Sequence, residues 1–434
     1  MTLRLPQLLI MAALFVGCET ALPVERLPGE SAQAPEELAT VLDGQAAIEP
    51  DSEKPRASWS SLVKQGRGHL QRDEFAAAED SFTRSYDLTR GYRKGDPRTS
   101  ASYRNLERVA TAYLATGDSL GFGRVMELLI FVSGEVPSAR NSEFARLLQD
   151  LASTRTLQKR PAEARDALLL ALDILEAELG AEHSSLVGVR SQLGLTHLEL
   201  GEPQMAEAEI VRASQIARVH EDAPGPLYAA SLVARAQLEL TRGNADEARN
   251  TLLSALDINE EHFGSEHAAT ARVVRELALL EQETDHNPAA EEHFDRVISI
   301  WDALPREHYQ QAQSRNELAW FLVEIGQPAR AEAPARSALG MLEERDVGGQ
   351  PRASVADTLA TALRDQGKHE EAESLYRQAL EEGAKTLGRA GWDLDAIAER
   401  YATLLELTNR ASEANEVRQR WRMTLPEDSN SEAL

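Results

Sequence analysis

The chain has 434 residues, with 71 acidic and 46 basic side chains and a formal net charge of −25 at neutral pH. This acidity argues against nucleic-acid binding and against a polybasic membrane contact, because both require clusters of positive charge. The single cysteine excludes an intramolecular disulfide.

The N-terminus has the pattern of a secretory signal. Arg4 supplies a positive charge, an apolar run extends from Leu5 to Val16, and Gly17-Cys18 closes the run. Residues 14–18 resemble a bacterial lipobox, in which the cysteine becomes the lipidated first residue, although Phe15 departs from the usual aliphatic residue. We therefore expect residues 1–17 to be a lipoprotein signal peptide and Cys18 to be the lipidation site. The alternative is an ordinary secretory peptide or an uncleaved anchor.

The segment that follows is predicted to be a flexible tether. Residues 18–57 contain five prolines among Glu, Ala, Ser and Gln and few large apolar groups, so they cannot bury enough surface to fold alone. We expect a disordered linker there and a disordered tail at residues 426–434. Glu19 is compatible with sorting to the outer membrane. The expected location is the bacterial cell envelope, with the lipid anchor in the outer membrane and the protein facing the periplasm.

Small residues then recur at a near-constant interval of 41 or 42 residues. The positions at which a first helix is predicted to end, called turn positions below, are Gly117, Lys159, Gly201, Gly243, Asp285, Gly326, Gly367 and Asn409. Glycine permits the left-handed conformation that ends a helix, and Asn and Asp tolerate it better than most residues. Lys159 is the one poor fit.

Three rows of small residues accompany the turn positions. The row seven residues earlier is Ala110, Ala152, Gly194, Ala236, Ala278, Ala319, Ala360 and Ala402. The row five residues later is alanine in every unit except Phe122, and the row twelve residues later is alanine in five of the eight units. Helices approach closely only where the side chains at the crossing are small. Each unit is therefore predicted to be a hairpin of two packed helices.

These features resemble the tetratricopeptide repeat family. Leu193-Gly194, Gly201, Ala206 and Ala213 match its signature. A period near 42 residues is longer than the usual 34 and is similar to the repeats of kinesin light chains. A weaker unit before the first turn position has its turn near Arg72 and its alanine at Ala77. The resemblance implies an all-α, right-handed superhelical solenoid of about nine antiparallel helix pairs over residues 58–425.

The resemblance also implies a binding groove lined by the first helix of each pair. The candidates for contact with a protein or peptide partner are Gln237, Arg275, Asn316, Trp320 and Arg364. Trp320 is the strongest candidate, because aromatic anchors contribute disproportionately at interfaces. The alternative role for Trp320 is packing against a neighbouring repeat.

Motifs for catalysis or cofactor binding are missing from the sequence. It contains no His-x-x-x-His pair, no phosphate-binding glycine loop and no Gly-x-Ser-x-Gly turn. His262 and His267 lie five residues apart, which is poor spacing for metal ligands. We therefore predict a non-enzymatic scaffold without metal, cofactor or small-molecule substrate. The alternative function is a structural assembly factor that multimerises through its terminal repeats.

Overall fold

The computed structural model describes residues 58–421, apart from residues 94, 135, 137–138, 221–224, 306–307, 346 and 388–393. The predicted signal peptide, Cys18, the linker and the tail lie outside the described residues. The described part of the chain contains eighteen helices and no strand. They are α1 (Trp59–Leu70), α2 (Phe75–Thr89), α3 (Pro97–Ala115), α4 (Ser119–Ser133), α5 (Ser142–Leu157), α6 (Pro161–Leu179), α7 (Leu186–Glu199), α8 (Pro203–His220), α9 (Pro226–Thr241), α10 (Ala245–Phe263), α11 (Ala268–Glu283), α12 (Asn287–Ala303), α13 (His308–Glu324), α14 (Pro328–Glu344), α15 (Gln350–Asp365), α16 (His369–Leu387), α17 (Leu394–Leu407) and α18 (Ala411–Trp421).

The helices form nine consecutive pairs, from α1–α2 to α17–α18. Each first helix packs against its own second helix, and each second helix packs against the first helix of the next pair. Every element thus contacts its neighbours in the sequence, as in a repeat array whose core is continuous along the chain. The prediction of an all-α repeat solenoid is confirmed.

The turns within the pairs have one common backbone geometry. All eight predicted turn positions have positive φ, including Lys159 at 55° and Asn409 at 62°. In each pair the amide of the following residue donates to a carbonyl five residues back, as Glu202 does to His197 at 2.8 Å. This is the bond that closes a helix C-terminus around a left-handed residue.

The first pair turns one residue later than predicted. Its left-handed residue is Asp73, with φ of 57°, rather than Arg72. Counted from Asp73, the buried alanine is Ala78, while Ala77 is only half-buried. Gly66 then occupies the position seven residues before the turn, so this pair follows the same pattern as the others.

The rows of small residues lie at the contact between the two helices of each pair. In the first row every alanine is at least 98% buried. A Cβ atom added to Gly194 would lie 2.6 Å from Cγ1 of Ile210 on the second helix, and one added to Gly66 would lie 2.5 Å from the ring of Phe82. Such distances are below van der Waals contact, so small side chains set the separation of the helices.

The first helices (α1, α3 and so on to α17) form the inner layer, and the second helices form the outer layer. Direct contacts between like helices of neighbouring pairs are most extensive between first helices, as between α7 and α9 or α13 and α15. In a curved array the closer-spaced layer is the concave one. In addition α4 contacts α16, so the outer layer of the second pair meets that of the eighth. Among the described residues no helix is long and apolar enough to cross a membrane.

Candidate interaction surface

The five predicted groove residues all lie on inner-layer helices, but they differ in exposure. Gln237, Arg275 and Asn316 keep only 8%, 6% and 6% of their surface accessible. Trp320 and Arg364 are half-buried. Periodic position thus predicts the layer on which these residues lie, but it does not predict how exposed each side chain is.

Gln237 and Arg275 belong to a buried polar cluster that joins three successive first helices. The amide of Gln237 on α9 donates to Glu276 Oε2 on α11 at 2.9 Å. Arg275 on α11 donates through Nε to both carboxylate oxygens of Glu317 on α13 at 2.9 Å, and through Nη1 to Glu276 at 2.9 Å. The bonds between helices connect side chains 39 and 42 residues apart in the sequence.

The electrostatics of this cluster favour the ion pair. Burial alone would lower the pKa of Arg275, but Glu317 and Glu276 outweigh burial and raise it, so the guanidinium stays charged. Burial raises the pKa of Glu276, and Arg275 opposes that shift. The side chains of Gln237 and Arg275 thus bond neighbouring repeats to each other. Little of their surface is left for contact with a partner.

A stripe along one face of α13 is the best candidate for partner contact. Tyr309, Gln313, Asn316 and Trp320 follow the spacing i, i+4, i+7 and i+11, which places them on one face of a helix. Tyr309 is 37% exposed at one end, and Trp320 lies at the other. The amide of Gln313 donates to Glu317 at 2.9 Å, and that of Asn316 donates to Ser354 of the next pair at 3.2 Å.

Two small clefts meet at Gln313 on this stripe. The first is lined by Tyr309, Asn316, Leu342 and Pro351 and has a volume of about 30 Å³. The second is lined by Arg272, Arg275, Trp301 and Gln310, with a volume of about 20 Å³. Each can hold about one small group, since a single water needs 10–15 Å³ by the same kind of measure. The clefts suit the tips of partner side chains. Tyr309 was not among the residues predicted from the sequence because it lies about two helical turns before Asn316, the first position considered on this helix. Its spacing of eleven residues from Trp320, which places both on one face, was visible in the sequence.

Trp320 and Arg364 lie in a second cluster that spans the last three pairs. The guanidinium of Arg400 on α17 lies 5.3 Å from the centroid of the Trp320 ring, and it donates to Asp357 on α15 at 2.9 and 2.6 Å. Arg364 donates to Asp365 at 2.7 Å. Burial lowers the pKa of Arg364, and Asp365 outweighs this and raises it. One side of the Trp320 ring thus interacts with a residue two pairs further along, which sequence spacing did not reveal.

His267 has a structural role, while His262 is exposed and its ring lies edge-on to Phe263. The His267 ring stacks on Phe263 at 4.4 Å, and its Nδ1 accepts from the amide of Ala269 at 3.1 Å, which caps α11. Burial and Arg272 lower the pKa of His267. No group of three or more His, Cys, Asp or Glu side chains suited to a metal ion occurs within the described ranges.

Comparison with known families assigns the repeats. A tetratricopeptide repeat family model matches residues 227–303, which cover α9 to α12, and a second one matches residues 352–393. These segments are tetratricopeptide repeats. Tetratricopeptide repeat proteins generally act as scaffolds for protein–protein interaction and not as enzymes. No protein of curated function matches the chain.

Several solved structures are similar at low sequence identity. The TPR-like repeats of a Podospora anserina protein described as a kinesin light chain are 24% identical over 47% of this chain and 98% of that chain, with a TM-score of 0.40. BtubC from P. vanneervenii is 18% identical over 52% of this chain and 91% of that chain, with a TM-score of 0.43. A Rap protein complexed with Competence and Sporulation Factor is 13% identical over 84% of this chain and 96% of that chain, with a TM-score of 0.48.

Proposed function

We propose that the protein is a non-enzymatic scaffold that binds a protein or peptide segment on its inner layer. The observation that carries this proposal is the α13 stripe, on which two aromatic residues flank two amide side chains beside paired clefts. Aromatic side chains supply anchor energy at interfaces, and the clefts beside Gln313 can receive the tips of partner side chains. The ion pair of Arg275 with Glu317 holds the stripe in place, and Arg400, which is bonded to Asp357, lies beside Trp320 at its end.

We further propose that the scaffold is anchored by lipid in the bacterial cell envelope. The lipobox-like sequence ending at Cys18 supports this, as does the proline-rich segment that follows. Cells fed a palmitate analogue should label the wild-type protein and not the Cys18→Ser variant. Labelling of both, or of neither, would contradict lipidation of Cys18 and leave the partner-binding proposal standing.

Partner binding is tested by cross-linking and affinity capture from envelope fractions with wild-type, Trp320→Ala and Trp320→Phe proteins. The alanine variant should lose the partner, while the phenylalanine variant, which keeps a ring beside Arg400, should retain much of it. Tyr309→Ala should weaken capture as well. Equal capture by wild type and Trp320→Ala would argue against the α13 stripe.

The alternative function, assembly through terminal repeats, is favoured by the last pair. A cleft of about 250 Å³ there is lined by Leu380, Tyr401, Leu405, Val417 and Trp421. Sedimentation of the purified protein separates the two functions. Self-association that Trp421→Glu abolishes, in a variant that keeps its helical circular dichroism, would support assembly, and a monomer that still captures its partner would support the scaffold.

A further inference from the structure

Large apolar side chains are exposed on only part of the outer layer. All the exposed ones on described second helices belong to the second to fifth pairs: Leu120, Phe131, Leu169, Leu179, Met205, Val211, Val219 and Leu253. The outer helices of the sixth to ninth pairs expose none within their described residues. Contiguous exposed apolar surface marks an interaction site, whereas apolar side chains scattered singly over a surface need no explanation.

Three of these side chains share a single position in the repeat. Leu169 on α6, Val211 on α8 and Leu253 on α10 each lie ten residues after a turn position, and they are 45%, 47% and 41% exposed. We call them the outer row. The same position in the next three pairs is Asp295, Arg336 and Arg377, and in the second pair it is Glu127. The outer row is therefore specific to three consecutive pairs and is not a general property of the repeat.

The charged side chains around the outer row are mainly acidic. On α6, α8 and α10 the exposed Asp and Glu residues outnumber the exposed Arg and Lys residues by eight to one, and the one basic residue is Arg218. The eight acidic residues are Asp166, Asp173, Glu178, Glu207, Asp246, Glu247, Asp257 and Glu261. The outer row is thus an apolar strip on an acidic surface.

The acidic residues nearest to the row lie about one helical turn from it. On a helix, residues three or four positions before or after a given residue are its neighbours on the surface. Asp166 and Asp173 stand in this relation to Leu169, and Asp257 stands in it to Leu253. The exposed neighbours of Val211 are Glu207, Ala208 and Gln215, of which Glu207 is acidic. Arg165 and Arg249 lie four residues before Leu169 and Leu253, but both are half-buried and donate to carboxylates, Arg165 to Asp166 and Arg249 to Glu281. A carboxylate therefore neighbours each member of the row, and the two basic neighbours are already paired with acids.

We propose that the outer row is a second docking surface, separate from the inner layer, and that it binds a basic amphipathic helix of a partner protein. The apolar stripe of such a helix would cover Leu169, Val211 and Leu253, and its Lys or Arg side chains would meet the surrounding carboxylates. A second copy of this chain fits less well, because its own acidic surface would face this one. With both surfaces occupied, the scaffold connects two partners.

The test uses the purified mature protein and a fluorescent helical peptide with leucine at every seventh position and lysines on both sides of that stripe. Binding is measured by anisotropy against a scrambled peptide of the same composition, which keeps the charge and loses the stripe. The row variant carries Leu169→Ser, Val211→Ser and Leu253→Ser. The matched control carries Asp295→Ser, Arg336→Ser and Arg377→Ser at the same repeat position in later pairs.

The ordered peptide should bind the wild type and the matched control alike, and the row variant at least about tenfold more weakly. Trp320→Ala should not change this affinity, which separates the outer row from the inner layer. Equal binding of the scrambled peptide, or unchanged binding by a row variant that retains its helical circular dichroism, would overturn the proposal. So would concentration-dependent dimerisation that the row variant abolishes, because the occupant would then be a second copy.

Discussion

The inner and outer layers both use ion pairs between repeats, but in opposite environments. The inner pair of Arg275 with Glu317 has side chains 7% and 2% exposed. The outer pair of Arg336 with Glu371, at 2.7 Å, has side chains 43% and 46% exposed. An exposed pair contributes little because water screens it, whereas the loss of one partner from a buried pair leaves an uncompensated charge in the protein interior. Similar ion pairs in the two layers should therefore contribute very different amounts to the free energy of unfolding.

The largest difference should appear when one partner is removed in each layer. Arg275→Ala should lower the free energy of unfolding by about 3–5 kcal/mol, since Glu317 and Glu276 would remain buried without their cation. Arg336→Ala should lower it by about 1 kcal/mol or less. Urea unfolding followed by circular dichroism measures both. Equal losses would show that the layers do not differ in the way their burial indicates.

The layers should also differ in their response to pH. Burial raises the pKa of Glu199 on the inner layer to about 7. On the outer layer, hydrogen bonds from Lys368 and Arg336 lower the pKa of Glu332 to about 2. Because the folded pKa of Glu199 exceeds its ordinary value of 4.5, folding favours the protonated form. Its contribution to stability is complete below about pH 4.5 and is lost as the pH rises through about 7.

The wild-type protein should therefore lose about 3 kcal/mol of stability through Glu199 between about pH 4.5 and about pH 7.5, and Glu199→Gln should remove that part of the dependence. Unfolding measured across this range for both proteins provides the test. Glu107 and Asp150, whose pKa values burial raises to about 7 and about 6, should add a slope of the same sign. A Glu199→Gln variant with an unchanged slope would contradict this assignment.

The contact between the inner and outer helix of one pair offers a sharper test. Seven pairs place alanine where the fourth places Gly194, so Gly194→Ala is a conservative change by sequence alone. Its new Cβ would lie 2.6 Å from Ile210 Cγ1 and 3.2 Å from the carbonyl oxygen of Ala206. Overpacking costs about 1–3 kcal/mol, and the gain in helix propensity offsets about 1 kcal/mol of it. We expect a net loss of roughly 1 kcal/mol in thermal or urea unfolding.

A second substitution supplies the control for that loss. Adding Ile210→Leu to Gly194→Ala should recover much of the stability, because the fifth pair combines Ala236 with Leu252 at the same two positions. A single Gly194→Ala variant as stable as wild type would show that the helices of the fourth pair can separate freely.

The smallest expected effect concerns the turns. Lys159 adopts φ of 55°, which strains a side chain with a Cβ atom. Lys159→Gly should stabilise the protein by about 0.5–1 kcal/mol, measured by thermal unfolding. Gly201→Lys at the equivalent turn of the next pair should have the opposite effect, and a stabilising Gly201→Lys would contradict the shared geometry.

The sequence predicts the backbone of this molecule better than its surface. Turn positions and small residues impose local steric requirements, so eight turns are located correctly, and only the first, at Asp73, is displaced by one residue. The partners of inner side chains depend on distant pairs. Nothing near Arg275 shows that Glu317 binds it, and Trp320 meets Arg400 across two repeats. The repeat spacing predicts the layer on which a residue lies. Only the three-dimensional arrangement shows which side chains remain exposed for contact with a partner.

The contact between α4 and α16 has a consequence for folding. Nearly all other packing joins elements that are adjacent or next but one in the sequence, so pairs can form and extend from any starting point at low cost in loop entropy. The α4–α16 contact instead joins helices of the second and eighth pairs, and it can form only after the intervening pairs have stacked with the correct curvature. We expect it to appear last during refolding and to open first under mechanical tension.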